Sequence, residues 1–308
     1  MENMAFVFPG QGSQAVGMLT DLAADFPVVT ETFSQASEVL GYDLWALTQD
    51  GPAEKLNETD KTQPALLTAS VAIFRAYQAS GATQPALLAG HSLGEYSALV
   101  CAGVIDFADA IKLVELRGQL MQQAVPAGTG AMFAIIGLDN DAIATACEES
   151  ANGAVVSPVN FNSPGQVVIA GEKEAAERAA AACKAAGAKM AVALPVSVPS
   201  HCELMKPAAD KLAIALTELT FNEPKISVIN NVDVATPTAA SDIKDALVRQ
   251  LYCPVRWSES VELMASKGIT DLVEMGPGKV LTGLTKRINK SLKGHAVNNA
   301  ASLSALIQ

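Results

Sequence analysis

The sequence predicts an α/β protein: a mostly parallel sheet covered by helices on both faces, with a smaller lobe inserted into it. Two observations carry this. In the outer parts of the chain, short apolar runs of strand length alternate with long helical stretches, the pattern of strands buried on both faces and joined by crossover helices. Between residues 130 and 198 the strands follow one another more closely, and two are separated only by a turn. The chain has 308 residues, half of them apolar. That is the upper range for one hydrophobic core, so one domain with an insertion or two unequal domains is expected.

Length and period place outer strands at Ala5–Phe8, Ala86–Ala89, Ile226–Ile229 and Asp271–Glu274, and helices at Gln63–Ala79 and Phe107–Gln123. The middle reads strand (AMFAIIG), helix (NDAIATACEES), strand (AVVSPVNF), strand (GQVVIAG), helix (KEAAERAAAACKAAG) and strand (KMAVALPV). This βαββαβ order is the ferredoxin-like plan. Pro126–Gly128 and Pro199 bound it, giving a core of residues 1–126 and 199–308 and an insert of residues 127–198. A cleft between two lobes is a common place for a ligand.

A net charge of −11 argues against nucleic acid as a partner. No apolar run reaches membrane-span length, and MENMAFVF lacks the basic region and cleavage site of a secretory signal. The five cysteines (Cys101, Cys147, Cys183, Cys202, Cys253) are odd in number and lack CxxC spacing. Neither a disulfide framework nor a zinc site is expected, which suits a reducing cytoplasm. Charge is unevenly spread. Residues 1–60 hold ten acids and one lysine, whereas residues 249–308 hold eight Lys/Arg and four acids.

The strongest chemical signal is GHSLGEYSALV, residues 90–100, which follows the apolar run ALLAG and opens a helical pattern. Strand, G-x-S-x-G, helix is the context of a nucleophile elbow, in which glycines permit a sharp turn that projects Ser92 clear of the sheet. The competing reading makes Ser92 only the N-cap of a helix. A nucleophilic serine needs a base, and three histidines exist. His91 adjoins Ser92 and diverges from it at a sharp turn, so it supports the loop; His295 sits in a Lys-rich stretch and reads as solvated. His201 is the candidate. In VSVPSHCELM, Ser200 and Glu203 have capping-box spacing, which puts the imidazole in a first helical turn where the dipole disfavours its proton. Pro207 limits or kinks that helix. The alternative is a histidine simply packed at a helix start.

No triad acid stands out between Ser92 and His201. Gln250, in SDIKDALVRQLYCP, falls on the apolar stripe of Ile243, Ala246, Leu247 and Leu251. By side chain or by backbone carbonyl it can hold His201 in one tautomer, or it is an ordinary amide at a helix end. Arg117 shares the inward face of its helix with Phe107, Ala110, Ile111, Val114, Gly118 and Met121. An inward guanidinium demands a carboxylate or phosphate, supplied either by an acid elsewhere in the chain or by an acyl chain ending in carboxylate. FPGQGSQ, residues 8–14, lacks the third glycine of a dinucleotide fingerprint. Its glycines let the Gln11 backbone approach a ligand, and the Gln11 N–H paired with that of Leu93 makes a two-donor oxyanion hole. MGPGKVL, residues 275–281, lacks P-loop spacing and reads as a turn and helix start at the same end of the sheet.

FPGQGSQ, GHSLGEYSALV followed by Arg117, VSVPSHCELM, QLYCPVRW and MGPGKVL occur in an order that resembles the malonyl-CoA:acyl-carrier-protein transacylases, relatives of the acyltransferase domains of fatty acid and polyketide synthases. The similarity covers essentially the whole chain. It implies an α/β-hydrolase-like core with a ferredoxin-like insert, and covalent two-step transfer of a malonyl group. It further implies Ser92 as nucleophile, His201 as base and acid, Gln250 orienting the histidine, and Gln11 and Leu93 as oxyanion donors. Arg117 would bind the malonyl carboxylate, with Met121, Asn160 and His91 lining the pocket. Malonyl-CoA and acyl carrier protein are the implied partners. No metal or cofactor is expected, because coenzyme A and phosphopantetheine enter as parts of the substrates, and a monomer is expected. The contrasting readings are a serine thioesterase or esterase on the same elbow, and an inactive carrier-binding subunit. The basic run TGLTKRINKSLKG, read as one helix carrying Lys286, Arg287, Lys290 and Lys293, is a candidate docking surface for an acidic carrier protein; its cations equally complement a helix dipole.

Overall fold

A computed structural model describes residues 3–196 and 198–307. Met1, Glu2, Ser197 and Gln308, which fall within the segments and boundaries assigned above, lie outside the described residues. The chain builds two sheets. The larger holds five parallel strands in the order β7-β2-β1-β8-β9: β1 Met4–Phe8, β2 Leu87–Gly90, β7 Val228–Ile229, β8 Asp271–Met275 and β9 Lys293–Val297. The smaller holds four antiparallel strands in the order β4-β5-β3-β6: β3 Gly130–Ile136, β4 Val156–Ser163, β5 Gln166–Glu172 and β6 Met190–Ala193.

Every residue of β1 is buried, because each face of the parallel sheet is covered. Phe6 and Phe8 point to one layer, where Phe6 meets Phe74 and Tyr77 edge-on, with ring centroids 6.1 and 5.0 Å apart. Ala5 and Val7 point to the other, against Trp257, Val261 and Leu284. The small sheet meets the rest of the chain through backbone: Phe161 N–H donates to Val255 O (2.9 Å) and Val255 N–H donates to Val159 O (2.8 Å), Val255 lying just before the helix Trp257–Ser266 that covers the larger sheet. That contact fixes β4 of the small sheet beside the larger one.

The elbow depends on missing side chains. The helix Gly94–Cys101 packs so closely over β1 and β2 that a Cβ on Gly94 would overlap the Phe8 carbonyl, and one on Gly90 would overlap the Gly94 backbone. Between them Ser92 turns the chain at φ 52°, a left-handed conformation rare for a residue bearing a side chain.

Three expectations are corrected. The helix expected from Gln63 begins at Thr59 and carries Pro64 as its sixth residue; a proline reads in sequence as a first-turn residue, where its missing N–H is harmless, and so places the start too late. His201 is not in a first helical turn. It sits before a short 3-10 turn, Glu203–Met205, in left-handed backbone (φ 65°), and its N–H donates to Leu251 O. Ser200 and Glu203 form no capping box, since the Ser200 hydroxyl donates to Val198 O. Pro207 enters the first turn of the following helix, Lys206–Thr217, where its missing N–H costs nothing, and does not kink it. Finally, the basic run is not one helix. The helix Val280–Ile288 carries Lys286 and Arg287, Lys290 lies in a turn, and Lys293 opens β9. A charged edge strand of alternating exposure is hard to tell from a helix end in sequence. Arg287 also reaches across to Gln166 Oε1 (3.0 Å).

Because the Gly94 contact is backbone against backbone, Gly94→Ala should lower unfolding free energy by about 2–3 kcal/mol or more. Urea denaturation checks this; a change under about 0.5 kcal/mol would mean the helix is free to shift away from β1.

Candidate active site

Ser92 and His201 meet. Ser92 Oγ lies 2.8 Å from His201 Nε2, and His201 Nδ1 lies 2.6 Å from the backbone carbonyl of Gln250. A carbonyl only accepts, so Nδ1 carries the proton and Nε2 is left to accept from the serine hydroxyl. Gln250, at the end of the helix Ala240–Gln250, therefore sets the tautomer through its main chain. Its side chain does something else: Oε1 accepts from Arg117 Nη2 (3.0 Å), and Nε2 donates to Glu95 Oε2 (2.8 Å) and to Ser92 O (3.0 Å).

Burial holds the His201 imidazole far below its ordinary value, at about 3, and the neighbouring Arg117 charge pushes the same way, against the Gln250 carbonyl. The neutrality expected from a helix dipole thus has a different source. Arg117 is 1 % exposed. Its Nη1 donates to Gln63 Oε1 (2.8 Å), its Nη2 also points at Ser92 Oγ (3.4 Å), and its Nε has no partner. Tyr96 lies beneath it, with the ring centroid 5.3 Å away. Among the described residues no carboxylate forms a salt bridge with Arg117. Of the two sources of counter-charge left open by the sequence, an ion pair within the chain is not the one used.

Gln11 and Leu93 border the same cavity as Ser92, Arg117, Met121, Asn160, His91 and His201. Among the described residues neither the Gln11 nor the Leu93 amide finds a backbone or side-chain acceptor. Two unspent donors beside a serine hydroxyl are what an oxyanion needs. Met121 is buried and its Sδ accepts from Gln63 Nε2 (3.5 Å). Asn160 Oδ1 is buried without a donor. His91 pairs with Asn162 Oδ1 (2.8 Å) and leans on Trp257, and burial lowers its pKa. The cavity volume is about 100 Å3, room for an acyl chain of a few atoms. A wider cleft, about 1000 Å3, lies elsewhere, between Met4, Asp271, His295 and Leu306; its His295 pairs with Asp271 and its Ser302 hydroxyl donates to Asn299 O, so the two form no catalytic pair.

Four contributors were not singled out in the sequence. Gln63 holds Arg117 from the Thr59–Ala79 helix. Asn231 accepts from Ser92 N–H (2.8 Å) and donates to Gly90 O (2.7 Å), which pins the elbow. Glu95, 2 % exposed, is pushed by burial up to about 7, while Gln250, the Asn231 N–H and Arg117 pull it back. Glu274 accepts from Leu281 N–H, Thr282 N–H and the Thr282 hydroxyl, and so caps the helix after MGPGK. The one available sequence signal was polarity at positions whose helical or strand neighbours are apolar.

A histidine-activated serine at a strand-to-helix turn, two free amide donors and an unpaired buried cation define an enzyme site equipped for acyl chemistry. Comparison with known proteins makes this specific. The model of the acyl transferase domain matches residues 5–307, and the chain belongs to that family. The malonyl CoA-acyl carrier protein transacylase of Escherichia coli strain K12 is 68% identical over 308 residues, all of both chains. The crystal structure of an acyl carrier protein S-malonyltransferase from Vibrio cholerae superposes with TM-score 0.97 at 72% identity, covering 99% of each chain. A malonyl-transacylase in complex with its type II PKS acyl-carrier protein superposes with TM-score 0.98 at 66% identity, covering 99% of this chain and 98% of that one.

Since the active imidazole is the neutral form, reactivity rises with pH through the folded-state value and is flat above it. Labelling of Ser92 by a serine-directed fluorophosphonate should therefore be level in its histidine dependence from about pH 5 to 8, with no limb at the ordinary histidine value of about 6.5. A clear limb near pH 6.5, followed by mass spectrometry of the labelled peptide, would contradict the buried, neutral base.

Proposed function

We propose that this enzyme transfers the malonyl group of malonyl-CoA to the phosphopantetheine thiol of acyl carrier protein through an ester on Ser92, supplying extender units for fatty acid synthesis. The observation that carries the reading is Arg117, a buried cation aimed at the nucleophile and lacking a carboxylate. A malonyl chain brings that carboxylate to the serine.

The reaction runs in two halves. Ser92 loses its proton to His201 Nε2 and attacks the thioester carbon. The carbonyl oxygen becomes an oxyanion received by the N–H groups of Gln11 and Leu93. Collapse breaks the carbon–sulfur bond, and His201 returns its proton to the leaving coenzyme A sulfur. In the second half His201 takes the proton of the carrier thiol, the thiolate attacks the malonyl ester, and the proton passes back to Ser92. Gln250 O holds the imidazolium through Nδ1–H in both halves, so a neutral carbonyl does the orienting that an acid does in a hydrolase triad. Met121, Asn160 and His91 shape the acyl pocket.

Two lobes frame this chemistry. Residues 1–126 and 199–308 form an α/β-hydrolase-like core, in keeping with the parallel sheet and the elbow. Residues 127–198 form a ferredoxin-like insert, a reading supported by the βαββαβ order and the sheet order β4-β5-β3-β6. The site is assembled within one chain, which suits a monomer. The reaction needs no cofactor, coenzyme A and phosphopantetheine arriving with the substrates, and a net charge of −11 makes nucleic acid an unsuitable partner. A cytoplasmic setting fits five unpaired cysteines. No described helix is long and apolar enough to cross a membrane.

Brief mixing with malonyl-CoA should give a stable malonyl adduct on the Ser92 peptide, visible by mass spectrometry. Ser92→Ala should abolish the adduct and cut transfer at least about a thousandfold while leaving the fold intact. Rapid hydrolysis in place of an adduct would mean a thioesterase, and transfer near the wild-type rate in Ser92→Ala would exclude the covalent route.

A further inference from the structure

We propose that Glu95 is a positioning residue for acyl-group selection: its carboxylate fixes the orientation of the Gln250 amide, and thereby keeps the Arg117 guanidinium turned toward Ser92. The proposal rests on the malonyl-transfer reading above and deepens it.

Glu95 lies in the first turn of the helix that follows the nucleophile, on a segment whose other residues from Gly94 to Leu99 are also buried. Its carboxylate makes no hydrogen bond to Ser92 Oγ or to His201. Its Oε2 accepts from two donors, Gln250 Nε2 at 2.8 Å and Asn231 N–H at 2.9 Å. An amide side chain has two ends that are nearly equal in shape and opposite in hydrogen bonding. Gln250 is fully buried, so only its neighbours decide which end faces which way. A carboxylate offers acceptors alone, so the NH2 end turns to Glu95 and the oxygen end turns to Arg117 Nη2. Reversed, the amide would set NH2 against guanidinium, donor against donor, and Glu95 would lose one of its bonds. Both bonds fall on a single oxygen of Glu95, so the arrangement survives whether or not the other oxygen carries a proton.

The consequence reaches the acyl pocket through one further atom. Arg117 is held by two neutral oxygens, Gln63 Oε1 and Gln250 Oε1. Losing the second frees Nη2, the nitrogen that also points at Ser92 Oγ. The residue that binds the acyl carboxylate then loses its aim, whereas the Ser92–His201 relay, which rests on the main-chain carbonyl of Gln250 and not on its amide, stays in place. Glu95 therefore governs which acyl group is loaded more than how fast the serine reacts.

The test compares kcat/KM for loading of Ser92 from malonyl-CoA and acetyl-CoA in wild type, Glu95→Ala and Glu95→Gln. Glu95→Ala should lower the malonyl value about tenfold or more, chiefly through KM, and change the acetyl value less than about threefold, so that the preference for malonyl falls. Glu95→Gln, whose amide oxygen can accept both bonds, should stay within about threefold of wild type for both donors. Equal loss for both donors in Glu95→Ala, or no loss, overturns the proposal. If Glu95→Ala does not fold, Gln250→Ala carries the test, because it removes the amide but keeps the carbonyl that holds His201; an unchanged malonyl preference there overturns the proposal equally. Absence of any malonyl adduct in wild type would instead reject the functional reading on which this rests.

Discussion

Among the described residues Arg117 carries a charge into the interior without a salt-bridge partner, Glu95 reaching it only through the Gln250 amide, and much of the site is arranged around that fact. A guanidinium does not give up its proton at any ordinary pH, and breaking a buried pair to leave one charge behind costs about 3–5 kcal/mol. Here the free enzyme holds the charge with amide oxygens from Gln63 and Gln250 and the face of Tyr96. These soften the burial and leave the cation short of a full counter-charge. A carboxylate-bearing acyl group supplies it at the one place where the serine can take that group. The same cation helps keep His201 neutral, so selection of the acyl chain and readiness of the base share a cause.

Holding such a charge in place requires rigid surroundings, and the close packing of the elbow provides them. Gly90 and Gly94 let the nucleophile helix sit directly on β1 and β2, and Asn231 ties Ser92 N–H to the end of β2. The left-handed turns at Ser92 and His201 are each fixed by backbone hydrogen bonds to neighbouring segments. Strain of this kind, about 1–3 kcal/mol per residue, persists where the surroundings over-determine it. The contact between β4 and Val255 sets the small sheet against this platform, Asn160 closes the pocket from that side, and Asn162 of the same strand holds His91 on the elbow.

How much of this was legible in the sequence follows from range. The parallel strands, the βαββαβ order and the elbow depend on local patterns of apolar residues and glycine, and these placed Ser92 and the inward face bearing Arg117. The His201 backbone was misread because S-x-x-E spacing describes a local helix start, while a long-range hydrogen bond to Leu251 holds the residue in a left-handed turn. The strand Lys293–Val297 was hidden because charged edge residues blur the two-residue period. Gln63, Asn231 and Glu95 were missed for a different reason. Each is an unremarkable polar residue whose role is created by partners 19 to 155 positions away, and no local pattern announces such a meeting.

The central claim is that the acyl carboxylate is the missing partner of Arg117, and the most direct measurement is the malonyl-to-acetyl preference of Arg117→Ala in Ser92 loading. Removing the guanidinium should cut the malonyl kcat/KM about a hundredfold or more, since a desolvated charged contact is worth several kcal/mol. Acetyl loading should be unharmed or improved, because the unpaired charge that penalises an acetyl group is gone. An Arg117→Ala enzyme that still preferred malonyl as strongly as wild type would contradict the account and leave the buried cation a structural element alone.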